Sequence, residues 1–224
     1  MKICFDFTPL YLSLYLAFFT SIILLFISLP ISWWLSQTHR FFFKKILESF
    51  FCLPLVLPPT ILGFYLLIFL NPNSFLGKCW FTLFGFNLVF SMSGLIVASI
   101  VYSLPFSIQP IQIEFEKIDK QILEQTIMLQ YSKFKTFFKV VLPLSKRGIL
   151  KAFILTFSHT LGEFGVVLMI GGNIYGKTQV ISIAIYESVE LLDYTKTHIL
   201  SFSVIFITLI ILLFLFFIDN NVKT

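Results

Sequence analysis

Two stretches of this sequence hold residues arranged as chemistry would need them. Gly171-Gly172-Asn173-Ile174-Tyr175-Gly176-Lys177-Thr178 satisfies the phosphate-cradling expression GxxxxGK[ST], and the run ILLFLFFID ends in Asp219 as a Mg²⁺-binding strand would. His159 and Glu163 stand four residues apart, close enough on one helix to touch and to act as an acid–base pair. No Ser/His/Asp set, metal-ligand cluster or carboxylate pair assembles elsewhere. The three cysteines, Cys4, Cys52 and Cys79, are far apart and form no CxxC pair, so they read as small buried hydrophobes rather than zinc ligands or a disulfide framework.

What either stretch can do depends on the elements that carry it. Of the 224 residues 58% are hydrophobic and 12% charged, and the mean hydropathy is +0.94. Soluble domains carry about 25% charged residues, and a globule this apolar would expose more greasy surface than water tolerates. A soluble enzyme, a disordered tail and a disulfide scaffold are excluded, which leaves an all-α integral membrane protein. A crossing takes about 20 helical residues. Leu10–Leu35, Ser49–Leu70, Asn87–Ile111, Gly148–Ile170 and His198–Ile218 supply five spans. Gly171–Thr197 is broken by Lys177, Glu187, Glu190 and Asp193 and reads as a structured loop or a partly inserted segment, with six spans as the alternative. The first run is too long for the core of a signal peptide and ends without a cleavage site, so it is expected to stay as a span.

Lys and Arg set the orientation. The loops after spans one and three, with Lys223 in the tail, carry twelve of the sixteen cations. The long loop is therefore expected in the cytoplasm, with the N-terminus outside and the C-terminus inside. Trp33 and Trp34 at the inner end of span one, and Tyr11 and Tyr15 towards its outer end, suit aromatic belts. The positive charge is topological, and nucleic acid is not an expected partner. A working phosphate loop must follow a buried parallel strand and cap a helix. Here the run before Gly171 ends a spanning helix, Asp219 ends another, and Lys177 falls outside the cell. The expression is a coincidence of letters.

The polar stretch from Glu114 to Arg147 has helical texture. Ile118, Ile122, Thr126 and Leu129 recur at near-helical spacing, Glu116 and Lys120 make an i,i+4 pair, and a break near Gln130–Ser132 precedes Phe134, Phe137, Phe138 and Val141. The pattern predicts a helix–turn–helix with one apolar side, ending at Pro143. A solvated linker needs no such stripe, whereas a cytoplasmic partner would use one.

The segment EQTIMLQYSKFKTFFKVVLP (124–143) resembles the EAA loop of importer-type ABC-transporter membrane subunits. That signature reads Glu-Ala-Ala, three residues, Gly, nine residues, Ile, one residue, Leu-Pro. Without gaps it places Glu124 at the Glu, Gln125 and Thr126 at the alanines, Gln130 at the glycine, Val140 at the Ile, and Leu142-Pro143 at the Leu-Pro. LPLVLPPTILGFYLL (53–67) is similar to the second span of molybdate permeases, and LGEFGVVLMIGGNIYGKTQVISIAIY (161–186) to their fourth span and outer loop, where Gly-Asn-Ile-Pro-Gly-Lys-Thr-Gln is common. The phosphate-loop letters are thus a family feature, with Tyr175 in place of Pro. The three blocks run in order over nearly the whole chain, from about Leu10 to Ile218.

The resemblance implies one transmembrane domain over residues 1–224 with ABC-importer architecture, carrying a cytoplasmic coupling loop at 114–147. It implies a non-catalytic permease subunit in a bacterial inner membrane that moves molybdate, with tungstate chemically close and sulfate or thiosulfate the alternative cargo. The implied partners are a second copy, a cytoplasmic ATPase dimer, an external oxyanion-binding protein and lipid. ATP and Mg²⁺ would sit on the ATPase, leaving no cofactor, metal or catalytic residue on this chain. ATPase coupling would fall to Ile118, Ile122, Glu124, Gln125, Thr126, Leu129, Gln130, Leu142 and Pro143. Prolines inside a span free a carbonyl and bend the axis where a path or neighbouring helices satisfy it. Pro58, Pro59 and Thr60, with His159, Gly162 and Glu163, are thus the pathway candidates, against a structural kink and a buried His–Glu pair as alternatives. The rival class, an intramembrane enzyme built on His159 and Glu163, lacks a nucleophile or metal.

Overall fold

The computed structural model describes residues 6–38 and 40–220. Lys2, Cys4 and Lys223, and the side chain of Asp219, lie outside the described residues. In chain order the helices are α1 (Thr8–Ser36), α2 (Phe41–Val56), α3 (Pro59–Leu70), α4 (Phe75–Phe84), α5 (Met92–Glu116), α6 (Lys120–Met128), α7 (Lys133–Thr136), α8 (Leu142–Leu144), α9 (Lys146–Leu161), α10 (Gly165–Gly171), α11 (Ile181–Glu190) and α12 (Tyr194–Asn220). A π-helical turn, Phe137–Val141, links α7 to α8. Helices α1, α5 and α12 are each long and apolar enough to cross a membrane. The expected second and fourth spans are bent pairs, α2 with α3 at 105° and α9 with α10 at 64°, and five spans result when each pair counts as one.

Helices α1, α5 and α9 pack on one another as the centre of the bundle. Their contact faces are rich in small hydroxyl residues, including Ser28, Ser32, Ser99, Ser103 and Thr160, all buried. Such residues let backbones approach closely where hydrocarbon supplies no hydrophobic drive between helices. Ser32 Oγ donates to the Ile108 carbonyl at 3.0 Å, joining α1 to α5. Gly148 lies so close to α5 that a Cβ there would stand 2.1 Å from Glu114 Cγ. One core cluster gathers Leu16, Leu70, Leu95, Val166, Val167 and Ile170. A second, formed by Ile111, Phe115, Val141 and Ala152, sits at the other end under α6 and the π turn.

Several expectations from sequence need correction. Trp33 is not a belt residue beside Trp34: it packs at 5.6 Å from Phe115 and 5.9 Å from Phe137, while Trp34 alone faces outward. Cys79 is exposed rather than buried, and Cys52 is half-buried with Gln109 Nε2 donating to its sulfur. Glu116 does not pair with Lys120, because α5 ends at Glu116 and α6 starts afresh at Lys120. Its partner is Lys44 Nζ at 2.7 Å, which ties α2 to α5. The second helix of the expected helix–turn–helix does not stop at Pro143 but runs through α8 almost directly into α9. A proline removes the donor to the carbonyl four residues back and crowds it. The π turn immediately before Pro143 is the local adjustment that absorbs this.

Candidate functional site

Pro58 and Pro59 interrupt span two rather than kink it. Leu57 and Pro58 have extended backbone, with ψ near 137° and 132°, and α3 starts at Pro59. A residue before proline is driven out of the helical region, so Leu57 and Pro58, each followed by proline, cannot continue the helix. Pro54 is the proline that does lie inside a helix, buried in α2. Span four breaks without proline: α9 ends at Leu161, Gly162 accepts no strain (φ −90°), and α10 begins at Gly165. The two breaks meet. A Cβ on Gly165 would lie 2.8 Å from Pro59 Cβ, and one on Gly63 would lie 2.9 Å from Met169 Cβ, so α3 and α10 are packed backbone-close. Thr60 is exposed and takes no part in that approach; neither does Gly162, also exposed, where an added Cβ would meet nothing closer than 3.8 Å.

His159 and Glu163 do not share a helical face, because the helix ends between them. Each is held instead by α5. Ser99 Oγ donates to Glu163 Oε2 at 2.5 Å, and Ser103 Oγ lies 3.0 Å from His159 Nδ1, one turn further along. Ser103 Oγ also lies 3.0 Å from Thr160 Oγ1, and the His159 ring stacks on Phe106 at 4.0 Å. Ser182 Oγ donates to the Glu163 carbonyl at 2.6 Å, which adds α11 to the same junction. Glu163 is 4% exposed and its Oε1 has no hydrogen-bond partner among the described residues. The break of span four is thus pinned to α5 and α11. Ser99, Ser103 and Ser182 were not singled out from sequence; the i,i+4 spacing of Ser99 and Ser103 is the signal that could have found the first two.

The polar segment that follows α5 is an α6–turn–α7 unit. Asp119 caps α6 by accepting from the Gln121 amide at 2.9 Å, and Ser132 caps α7 by accepting from the Lys135 amide at 3.3 Å. Between them Gln130 takes a left-handed φ of 54°. Its amide donates to the Ile127 carbonyl at 2.9 Å, and the Tyr131 amide donates to the Thr126 carbonyl at 3.0 Å. That crossed pair is the Schellman closure, whose left-handed position usually holds glycine. Gln130 fills it at a cost of about 1–2 kcal/mol for a residue with a Cβ. The apolar stripe divides. Ile118 and Leu123 pack inward on the second core cluster, and Thr126 is buried, its hydroxyl 3.2 Å from that of Thr136. Ile122 is at the rim and Leu129 faces out, joined by Ile127, Met128, Phe134 and Phe138, none of them shielded by the bundle. Glu124 and Gln125 are exposed on the same helix, Leu142 is half-buried and Pro143 exposed.

Residues 171–178 follow a helix, and no strand occurs among the described residues. Thr178, the position that would hold Mg²⁺, is buried. Its hydroxyl donates to the Gly171 carbonyl at 2.6 Å and accepts from the Ile174 amide at 3.3 Å. The loop is closed on itself and offers no cradle. At its edge the Asp6 carboxyl, held below its ordinary range by hydrogen bonds from Thr8 and Tyr175, ties the loop to the start of α1. Lys177 is exposed. Lys177→Ala is accordingly expected to leave ATP hydrolysis by an assembled transporter unchanged within about twofold, and the isolated subunit to show no saturable ATP binding. Nucleotide binding by the purified subunit that the substitution abolishes would overturn this.

Residues 28–223 match the family model described as "Binding-protein-dependent transport system inner membrane component". The chain is 43% identical over 211 residues to the molybdenum transport system permease protein ModB of Azotobacter vinelandii, covering 94% of this chain and 93% of that one. It is 33% identical over 202 residues to a probable sulfate transport system permease protein of Chlorella vulgaris, covering 90% and 75%. Among solved structures, a chain of a bacterial alginate ABC transporter in complex with an alginate pentasaccharide-bound periplasmic protein superposes with a TM-score of 0.70 at 15% identity, covering 96% of this chain and 77% of that one. At that identity the likeness is one of fold.

Proposed function

The chain belongs to the family of binding-protein-dependent transport system inner membrane components, and we propose that within it this protein is the membrane-spanning subunit of an ATP-driven molybdate importer. The observation that carries the cargo is the 43% identity to a molybdenum permease over 94% of the chain. It acts as a transport subunit of a multi-pass inner-membrane complex. ATP and Mg²⁺ belong to a separate cytoplasmic ATPase, and a second copy of the chain completes the enclosed path that five spans alone would leave open. An external oxyanion-binding protein delivers the cargo. The cation count favours an external N-terminus and a cytoplasmic C-terminus and coupling segment.

The geometry suits this division of labour. The outward-facing apolar residues Ile127, Met128, Leu129 and Phe134 form the surface that docks on the ATPase, with Glu124 and Gln125 at its polar edge. Behind it Trp33, Phe115 and Phe137 weld the segment to α1 and α5. Displacement of α6 is therefore transmitted to the central bundle, and through α9 to the break at Gly162–Phe164. Closure of the ATPase opens the path outward and hydrolysis resets it inward, the rocking expected of alternating access. A carboxylate is a poor ligand for a dianion, so the role of Glu163 is to hold the break against α5 through Ser99.

The relationship to a sulfate permease favours sulfate as the second reading. Uptake of radiolabelled molybdate by cells carrying the complete system, and by a strain lacking this chain, separates the two. Loss of uptake on deletion, with competition by unlabelled molybdate and tungstate at least tenfold stronger than by sulfate, is the expected outcome. Equal or stronger competition by sulfate would overturn the molybdate reading.

A further inference from the structure

Helix α4 has no place in the five-span scheme. Ten residues rise about 15 Å, half of a bilayer's hydrocarbon thickness. It is nevertheless well defined: Ser74 caps it by accepting from the Gly77 amide at 2.9 Å, and Gly85, with φ 76°, closes it. A Cβ on Gly77 would lie 2.0 Å from the Asn71 carbonyl oxygen, so the helix folds back tightly on the end of α3. At 100° per residue its surface divides into three sectors. Gly77 and Trp80 face the protein, Trp80 lying tilted against Phe84 at 4.2 Å and joining the first core cluster. Leu76 and Leu83 make a second sector, exposed by 53% and 77%, with Cys79 exposed at its edge. Lys78 and Thr82 make the third, opposite Leu76 and Leu83 and also exposed, with Phe75 and Phe81 at its two borders.

We infer that α4 is an interfacial helix that beds Leu76 and Leu83 in the acyl boundary of the bilayer and holds Lys78 at the lipid phosphates. The occupant is lipid because its apolar and cationic sectors match the layering of a membrane boundary, where such helices sink about 5–10 Å below the headgroups. The apolar sector also continues the bare surface of the neighbouring α3, where Phe64, Tyr65, Ile68 and Phe69 are exposed. Anchored this way, α4 fixes the far end of the broken second span at headgroup depth. The leaflet, the outer one, rests on the orientation stated above; contact with lipid does not.

The test uses the assembled complex in sealed vesicles of phosphatidylethanolamine and phosphatidylglycerol with uniform orientation. Cys4, Cys52 and Cys79 are replaced by serine, and a nitroxide is attached to Leu83→Cys or to Thr82→Cys. At position 83 collisions with oxygen should exceed those with a water-soluble nickel chelate several-fold, and at position 82 the order should reverse. Chelate-dominated collisions at 83 would mean water or a soluble partner there, and low rates with both reagents would mean a second copy or other protein; either overturns the inference. An impermeant external reductant should bleach position 82 rapidly. Slow bleaching with the depth contrast intact supports the lipid contact and overturns the orientation instead.

Discussion

Met128→Asp combined with Leu129→Asp is expected to strip the ATPase from the complex while leaving the membrane bundle folded. Both side chains are more than half exposed, at 83% and 65%, and neither joins a core cluster, so aspartate at these sites disturbs nothing inside the chain. Truncating a central contact of an interface costs about 1–4 kcal/mol. Two desolvated, unpaired carboxylates would cost at least as much. Association should weaken by roughly tenfold to a thousandfold, and uptake should fall to background at ordinary subunit levels. Glu124→Lys, at the polar edge, should lower uptake less. Co-purification of the ATPase with each variant, beside oxyanion uptake, is the measurement. Full partner binding and full uptake by the double variant would remove this segment from the coupling role.

Gly165→Leu should have an effect of similar size by a different route. The added Cβ alone would sit 2.8 Å from Pro59 Cβ, so the two breaks must part to admit it. Overpacking of this kind costs about 1–3 kcal/mol. Because it separates α3 from α10, transport is expected to drop at least tenfold in protein that still inserts. Pro59→Gly in the same chain removes the opposing carbon and should restore part of the uptake. Gly162→Ala, three residues away, meets nothing closer than 3.8 Å at a φ open to any residue, and should transport normally. Equal loss in both glycine variants would show that the meeting of the breaks is not what matters. Uptake normalised to the amount of subunit in the membrane, with thermal unfolding in detergent, reads all three.

Hydropathy alone locates the spans, because runs of about 20 apolar residues in water-free surroundings have one stable form. It does not resolve their interior. Pro58-Pro59 announced a disturbance, yet the turn between α2 and α3 is set by where α3 finds its packing partner in α10, a contact about a hundred residues away in sequence. The break after Leu161 carries no proline and no charge pattern, and i,i+4 reasoning about His159 and Glu163 failed because it assumed a continuous helix. The coupling segment was more legible: the spacing of the loop signature put a turn at Gln130, and Gln130 is the left-handed residue. Its apolar periodicity was read as one face, whereas the inner part packs on Phe137 and only the rim and tip are bare. Helix α4 was missed although Ser74 and Gly85 bracket it, since a ten-residue run gives too few turns for periodicity to stand out.

The π turn at Phe137–Val141 has a mechanical meaning. A π turn accommodates one residue more than an α turn, and one residue corresponds to about 100° of rotation about the axis. The azimuth of the exposed apolar face of α6 and α7, the face proposed to dock on an ATPase, is therefore offset from the azimuth of α9 at a turn that a single proline, Pro143, favours. The two ends of this almost continuous rod are keyed to each other like the pins of a crankshaft. If the turn relaxed to α-helical winding, a push on one end would swing the other towards a different neighbour, with every side chain of both ends unchanged.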